Sequence, residues 1–151
     1  MTTDRHGDQG HPHSDAGHAH EHGKLRSVPP GMEPAVFAGR ADVVFAPRAS
    51  AGEARGLVEA FMRGLSEALT AAGCVLVGHV KGTLDAGRQG SLSFSLTSLH
   101  GDARVSATLY AQVIAAVLTV NVIVFGVSML VVRDAVLDAW SASVDTATQW
   151  R

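Results

Sequence analysis

Polar and hydrophobic residues alternate along the stretch SLSFSLTSL, residues 91–99. Successive side chains of an extended chain point to opposite faces, so Leu92, Phe94 and Leu96 share one face. The opposite face carries only small hydroxyl side chains, those of Ser91, Ser93, Ser95 and Thr97. This pattern predicts a strand with one buried face and one face that is exposed to water or covered by a partner. Residues 104–110 (RVSATLY) alternate in the same way and predict another strand.

A helix is predicted in the segment that follows Ser50. Ser50 is a favourable N-cap residue, and Glu53 three positions later completes a capping box. Gly73 is a typical helix terminator. Between these ends an apolar residue recurs every four positions, at Leu57, Phe61, Leu65 and Leu69. We therefore expect an amphipathic helix that packs against the predicted strands.

Two further strands are predicted, one on each side of this helix. Residues 41–47 (ADVVFAP) form a short apolar run that Pro47 is expected to stop. Residues 74–82 (CVLVGHVKG) are apolar on both faces except at His79, which is typical of a central strand. Residues 83–90 contain glycines and polar residues and predict a loop.

The uncharged stretch between Arg104 and Arg133 allows two interpretations. Residues 111–132 are long and apolar enough for a transmembrane helix, which needs about 20 residues. Alternatively, residues 117–126 form a strand rich in β-branched side chains, which ends at its glycine, and Ser128 caps a second helix.

The strand-plus-helix interpretation is favoured for two reasons. Asn121 would lie near the centre of a bilayer without a partner, which is a costly position. The apolar pattern also continues past Arg133 to Trp140, as it does in a helix on the surface of a soluble domain. The predicted fold is a two-layer α+β sandwich in which two helices cover one face of a mostly antiparallel, four- to five-stranded sheet. This single domain is expected to span residues 35–151.

Composition narrows the class of function. The 151 residues carry a formal net charge of −2, and the 12 lysines and arginines are scattered, so we expect no nucleic-acid partner. Cys74 is the single cysteine, which agrees with a reducing cytoplasm. The N-terminal region lacks the apolar core of a secretory signal, so a cytoplasmic protein is expected. The sequence contains no phosphate-binding loop, nucleophile elbow or zinc-protease motif, so we do not expect an enzyme.

Histidines are concentrated near the N-terminus, in a segment that is poor in apolar residues. We expect residues 1–34 to be a disordered tail. Six of the eight histidines occur there, namely His6, His11, His13, His18, His20 and His22. Residues two apart in an extended chain point the same way, so the His-x-His units present imidazoles to a shared point. Imidazole suits zinc, copper and nickel, and a tail without fixed geometry favours storage or delivery of such ions, nickel or zinc above all, over catalysis.

A second set of candidate ligands lies in the predicted domain. His79 and Lys81 are two apart on one strand and share a face, while Thr97 and His100 close the next strand. One interpretation is a small anion or metal site at the edge of the sheet. The alternative is a buried histidine beside a lysine that marks the exit of the strand to solvent. The alternative is favoured, because one His–Lys pair has little specificity.

The order of these elements resembles a small α/β module found next to CobW-like metal-chaperone GTPases. In that module a His-x-Lys strand precedes a strand that ends in Ser or Thr and then an apolar strand with an asparagine. Residues 57–140 match this pattern through His79, Lys81, Thr97 and Asn121. The histidine-rich tail is similar to extensions of bacterial nickel, zinc and cobalt accessory proteins. The resemblance implies an accessory module whose partner is a metal-chaperone GTPase or a metalloenzyme that receives the ion.

Three functional hypotheses result. The first is a cytoplasmic, non-enzymatic accessory protein that stores or delivers nickel, zinc or cobalt, with an α+β domain that docks on a partner or on itself. The second is a single-pass membrane protein with its span near residues 111–132 and a metal-sensing tail. The third is a structural oligomerisation module that uses the uncharged strand 117–125 and the serine-rich face of the strand 91–99. A homo-oligomer is expected.

Overall fold

The computed structural model describes residues 32–144 and 147–151. The elements of these residues follow the chain order β1 (Pro34–Ala49), α1 (Ala51–Ala71), β2 (Leu76–Asp85), β3 (Ser91–Leu96), β4 (Arg104–Ala107), β5 (Val113–Phe125), α2 (Met129–Ser143) and β6 (Ala147–Trp150). A single 3₁₀ turn, Gly87–Gln89, separates β2 from β3.

The described strands form one sheet in the order β4-β3-β2-β5-β1-β6, and every neighbouring pair is antiparallel. The predicted α+β class is confirmed, but the sheet has six strands rather than four to five. The additional strand is β6, which pairs with β1 from Ala41 to Val44. Its four residues (ATQW) are too few to show a hydrophobic period, so the sequence pattern did not reveal it.

Strand β1 is longer than predicted and does not stop at Pro47. It begins at Pro34 and ends at Ala49, and its ladder with β5 is interrupted between Val44 and Ala49. Pro47 lies within this interruption, where a missing backbone N–H costs no ladder hydrogen bond. The strand therefore passes through the proline and delivers the chain directly to the start of α1.

Helix α1 begins and ends as the sequence predicts. The Ser50 backbone N–H donates to Glu53 Oε2 at 2.7 Å, and the Glu53 N–H donates to Ser50 Oγ at 3.2 Å, which completes the capping box. The helix ends at Ala71, and Gly73 takes a left-handed φ of 84° that glycine adopts without strain. The buried face comprises Ala54, Val58, Phe61, Met62, Leu65 and Leu69. Leu57, which was expected on this face, is only partly buried.

The uncharged stretch forms a strand and then a helix, as predicted. Strand β5 lies between β2 and β1 and is hydrogen-bonded to both. Gly126 ends it, and the Ser128 hydroxyl caps α2 by accepting from the Val131 N–H at 3.3 Å. The span predicted by the membrane hypothesis is thus divided between β5 and α2. No helix in residues 32–144 or 147–151 is both long and apolar enough to cross a bilayer.

An aromatic cluster joins the helical layer to the sheet. The Phe61 ring of α1 packs edge to face against Trp140 of α2 and Phe94 of β3, with ring centroids 5.4 Å and 6.0 Å apart. Trp140 also meets Trp150 of β6, and its indole N–H donates to Thr148 Oγ1 at 3.0 Å. Trp140 is 1% exposed, so this hydrogen bond satisfies a buried donor. The cluster fixes both helices to one face of the sheet.

The capping box makes the start of α1 sensitive to pH. The Ser50 N–H, and then the Ser50 hydroxyl, hold the pKa of Glu53 below its ordinary value of 4.5. The resulting stabilisation is fully present above the unfolded-state pKa and is lost as the pH falls through the lowered folded value. We expect Glu53→Gln to lower the urea midpoint at about pH 7 and to lower it by less as the pH falls through the depressed pKa of Glu53. If the substitution lowered the urea midpoint equally at about pH 7 and about pH 3, the result would contradict a role for the charge of Glu53 in the capping box.

Candidate functional site

In the described part of the chain both helices pack on one face of the sheet, and we call the opposite face the open face. Its central part is assembled from four strands by the hydrogen-bond register. Arg104 of β4 pairs with Ser95 of β3, Ser95 with Lys81 of β2, and Lys81 with Asn121 of β5. The adjacent row reads Ser106, Ser93, Thr83 and Thr119 in the same strand order. Two cross-strand rows of polar side chains therefore lie side by side.

These two rows line an open groove of about 540 Å³, which we call the open-face groove. Ser95 and Thr119 are half-buried, and the other side chains of the two rows are exposed. The lining also includes Gly82 and Phe94, and the Phe94 ring packs on the opposite, helix-covered face against Phe61 and is 3% exposed. The volume falls within the range of about 300–1,000 Å³ that is typical of small-molecule sites.

The open-face groove has an excess of positive charge. Its lining includes Lys81 and Arg104, and among residues 32–144 and 147–151 no carboxylate contributes to it. Neither cation takes part in a salt bridge with a residue in the described part of the chain. Arg40 of β1 pairs with Thr119 in the sheet and adds a cation next to the groove. Hydroxyl and amide groups fill the remaining positions.

The carboxylates on the same face are engaged elsewhere. Among the described strand residues the open face carries two, Asp42 and Asp85. Asp42 forms an ion pair with Arg151. Asp85 Oδ1 accepts from the backbone N–H of Gly87 at 2.9 Å. Both acids thus lie outside the groove and have partners of their own, so they do not neutralise Lys81 or Arg104.

The hydroxyls of Thr83 and Thr119 are 2.7 Å apart and form a hydrogen bond across β2 and β5. A hydroxyl has one donor proton and two acceptor lone pairs. One threonine hydroxyl donates its proton to the other, and the accepting threonine can donate its own proton to a ligand. The pair therefore presents an oriented donor at the groove.

The structure separates the members of the smaller predicted site. His79 and Lys81 share the open face, as expected from their spacing, and His79 is half-buried. Thr97 lies one residue past the end of β3 and lines a cleft with the start of β2. His100 lines this cleft and also a second one, beside Glu59 and other residues of α1. Lys81 lines neither cleft, so it is not brought together with His100.

Metal-ligand geometry is limited in the described residues. Within residues 32–144 and 147–151, no group of three or more His, Cys, Asp or Glu side chains is close enough to hold a metal ion. The tail histidines, from His6 to His22, lie outside the described residues. The described chain begins at Met32, just before β1. Cys74 is buried, and its Sγ lies 3.5 Å from the carbonyl oxygen of Leu76, which agrees with a packing role.

Several groove residues were not recognised as site residues from the sequence. Thr83 was expected in a loop, because β2 was predicted to end at residue 82 and instead runs to Asp85. The sequence places Arg104 at the start of the predicted strand 104–110 and at the boundary of the uncharged stretch, but gives it no role in a site. The serines of β3 were correctly predicted to face away from the core, and this alternation was the available signal.

Comparisons of the chain with family models, with curated proteins and with solved structures gave no match. The resemblance to the CobW-associated module therefore stays a prediction. The candidate site rests on the geometry of the open face alone.

The groove floor requires glycine at position 82. A Cβ at Gly82 would overlap the Phe94 ring and the backbone carbonyl oxygen of Thr119. We expect Gly82→Ala to lower the free energy of unfolding by about 1–3 kcal/mol, the usual cost of overpacking. Urea unfolding followed by tryptophan fluorescence measures this loss.

Gly56→Ala is the matched control for this substitution. Gly56 lies in α1, and a Cβ there meets no atom within 4 Å. Alanine should therefore raise the stability by about 0.5–1 kcal/mol through helix propensity. Equal effects of the two substitutions would contradict the close packing at Gly82.

Proposed function

We propose that this protein is a non-enzymatic, cytoplasmic accessory protein that binds nickel, zinc or cobalt ions as cargo. The histidines of residues 6–23 are the ligands, and the α+β domain docks on a recipient. The observation that carries the proposal is the pair of His-x-His units, which bring two and three imidazoles into reach of one ion. Docking partners of the kind implied by the resemblance are a metal-chaperone GTPase or a metalloenzyme.

The attachment point of the histidine-rich segment supports this proposal. In the sheet, Val36 of β1 pairs with Ile123 of β5, and Ile123 pairs with His79 of β2. Val36 and His79 are thus two strand spacings apart, about 10 Å. Strand β1 begins at Pro34, two residues before Val36, and the roughly 12 residues from His22 to Pro34 reach about 40 Å when fully extended, so the tail imidazoles have access to His79. His79 is then an additional ligand supplied by the folded domain.

The test is the nickel and zinc content of the full chain after equilibrium dialysis at about pH 7.5. We expect bound ions in the natural chain and near-zero content when the six tail histidines are replaced by glutamine. Binding should weaken as the pH falls below about 6.5, because only neutral imidazole coordinates the ion. His79→Gln is the second variant, and we expect it to weaken the binding of one ion.

Equal metal content in the natural chain and the six-glutamine variant would contradict the proposal. Unchanged content in His79→Gln, with loss in the six-glutamine variant, would confine the ligands to the tail. A His100→Gln variant controls for loss of any domain histidine, because His100 is not on the open face.

Self-association is a second candidate function, favoured by exposed apolar side chains at one end of the domain. Val75 and Leu76 at the start of β2 are 62% and 54% exposed, and Met129 and Leu130 at the start of α2 are 60% and 56% exposed. Val75 contacts Gly126, three residues before α2, so the two pairs lie at the same end. Exposed apolar patches of this kind mark interaction surfaces. A monomeric mass in light scattering at micromolar concentration would exclude this function.

A further inference from the structure

We infer that the open-face groove binds a soluble small molecule that carries a phosphate group. The inference is independent of the metal proposal, because it uses none of the tail histidines. It rests on the charge, the donor groups and the shape of the groove.

Charge selects an anion for this groove. Lys81 and Arg104 lie on either side of Ser95, with their Cα atoms two strand spacings apart, about 10 Å. Both side chains are long and exposed, so both reach a ligand that lies over Ser95. The two cations, which no carboxylate of the described residues offsets within the lining, balance a dianion. A phosphate monoester carries about −1.5 to −2 at neutral pH, as phosphorylated side chains do.

The donor groups favour a phosphate over a carboxylate. The lining offers the Lys81 ammonium, the Arg104 guanidinium, the Asn121 amide and the hydroxyls of Ser93, Ser95 and Ser106. A phosphate monoester presents three strong acceptor oxygens, whereas a carboxylate presents two. Arginine also matches phosphate through two parallel hydrogen bonds. The groove therefore offers more hydrogen-bond donors than the two oxygens of a carboxylate need, and this number suits the three oxygens of a phosphate.

The shape selects a small molecule rather than a nucleic acid. The groove is confined to two cross-strand rows and holds about 540 Å³. Single-stranded nucleic acids need exposed aromatic platforms for base stacking. The aromatic residue in the lining is Phe94, and its ring is 3% exposed and packs against Phe61 on the other face of the sheet. The groove thus lacks a stacking surface but has room for a phosphate and the small organic group attached to it.

The experiment titrates the full chain with inorganic phosphate and with glycerol phosphate, followed by ¹⁵N–¹H correlation spectra. The six tail histidines are replaced by glutamine, so that phosphate held by a tail-bound metal does not contribute. Acetate and glycerol are the control ligands. We expect saturable shifts at the amides of Lys81, Ser93, Ser95 and Arg104 with both phosphates, tighter binding of glycerol phosphate, and no saturation with glycerol or acetate.

Charge-removing variants test the assignment of residues. Lys81→Gln and Arg104→Gln should each weaken glycerol phosphate binding about tenfold, the loss expected for one charge-assisted hydrogen bond. Arg133→Gln is the matched control, because Arg133 is an exposed arginine of α2 whose ion pair is with Asp134. It removes the same charge away from the open face and should leave binding unchanged. The spectra also report whether each variant is folded.

Three results would overturn the inference. The first is no saturable shift at the groove in the folded chain. The second is equal weakening by Arg133→Gln, which would indicate a general ionic effect. The third is acetate binding as tight as that of glycerol phosphate, which would indicate a carboxylate ligand instead.

Discussion

The position of β5 at the centre of the sheet determines the rest of the structure. Four of its residues face the helices and have no exposed surface, namely Leu118, Val120, Val122 and Val124. Burial of each side chain contributes about 1.5–3 kcal/mol to the free energy of folding. A shift of one residue in the pairing with β1 or β2 would turn these side chains out to water. The register is therefore fixed by the core. That register also fixes which residues of β2, β3 and β4 reach the open face.

The polar site is thus a consequence of packing on the other side of the sheet. Thr119 and Asn121 alternate with the buried residues of β5 and have no alternative orientation. Lys81 and Thr83 follow from their pairing with β5, and Ser93 and Ser95 from their pairing with β2. A ligand at this site meets side chains whose backbone positions are held by an apolar core. This rigid support reduces the conformational entropy that the binding site loses when a ligand binds.

Much of the fold was predictable because its signals are local. Three such signals are the capping box of Ser50 and Glu53, the stop at Gly73 and the alternation of residues 91–99. Each of them depends on residues only a few positions apart. The strand-plus-helix interpretation of the uncharged stretch also rests on local period. The order of the strands is not local, and β6 is too short to show a period. The groove combines residues from β2, β3, β4 and β5. The sequence alone therefore predicted which residues of a single strand face outward, but not which residues of different strands lie side by side.

The two edges of the sheet have a consequence for solubility. Strand β4 and strand β6 have four residues each, while β1 and β5 in the interior have 16 and 13. An unpaired edge invites another chain to add a strand, and short edges offer few backbone groups for such growth. The most apolar strand, β5, is paired with β1 on one side and β2 on the other, and β6 covers residues Ala41 to Val44 of β1. The protein therefore keeps its most apolar strand away from an edge where another chain could add a strand and start fibrillar aggregation.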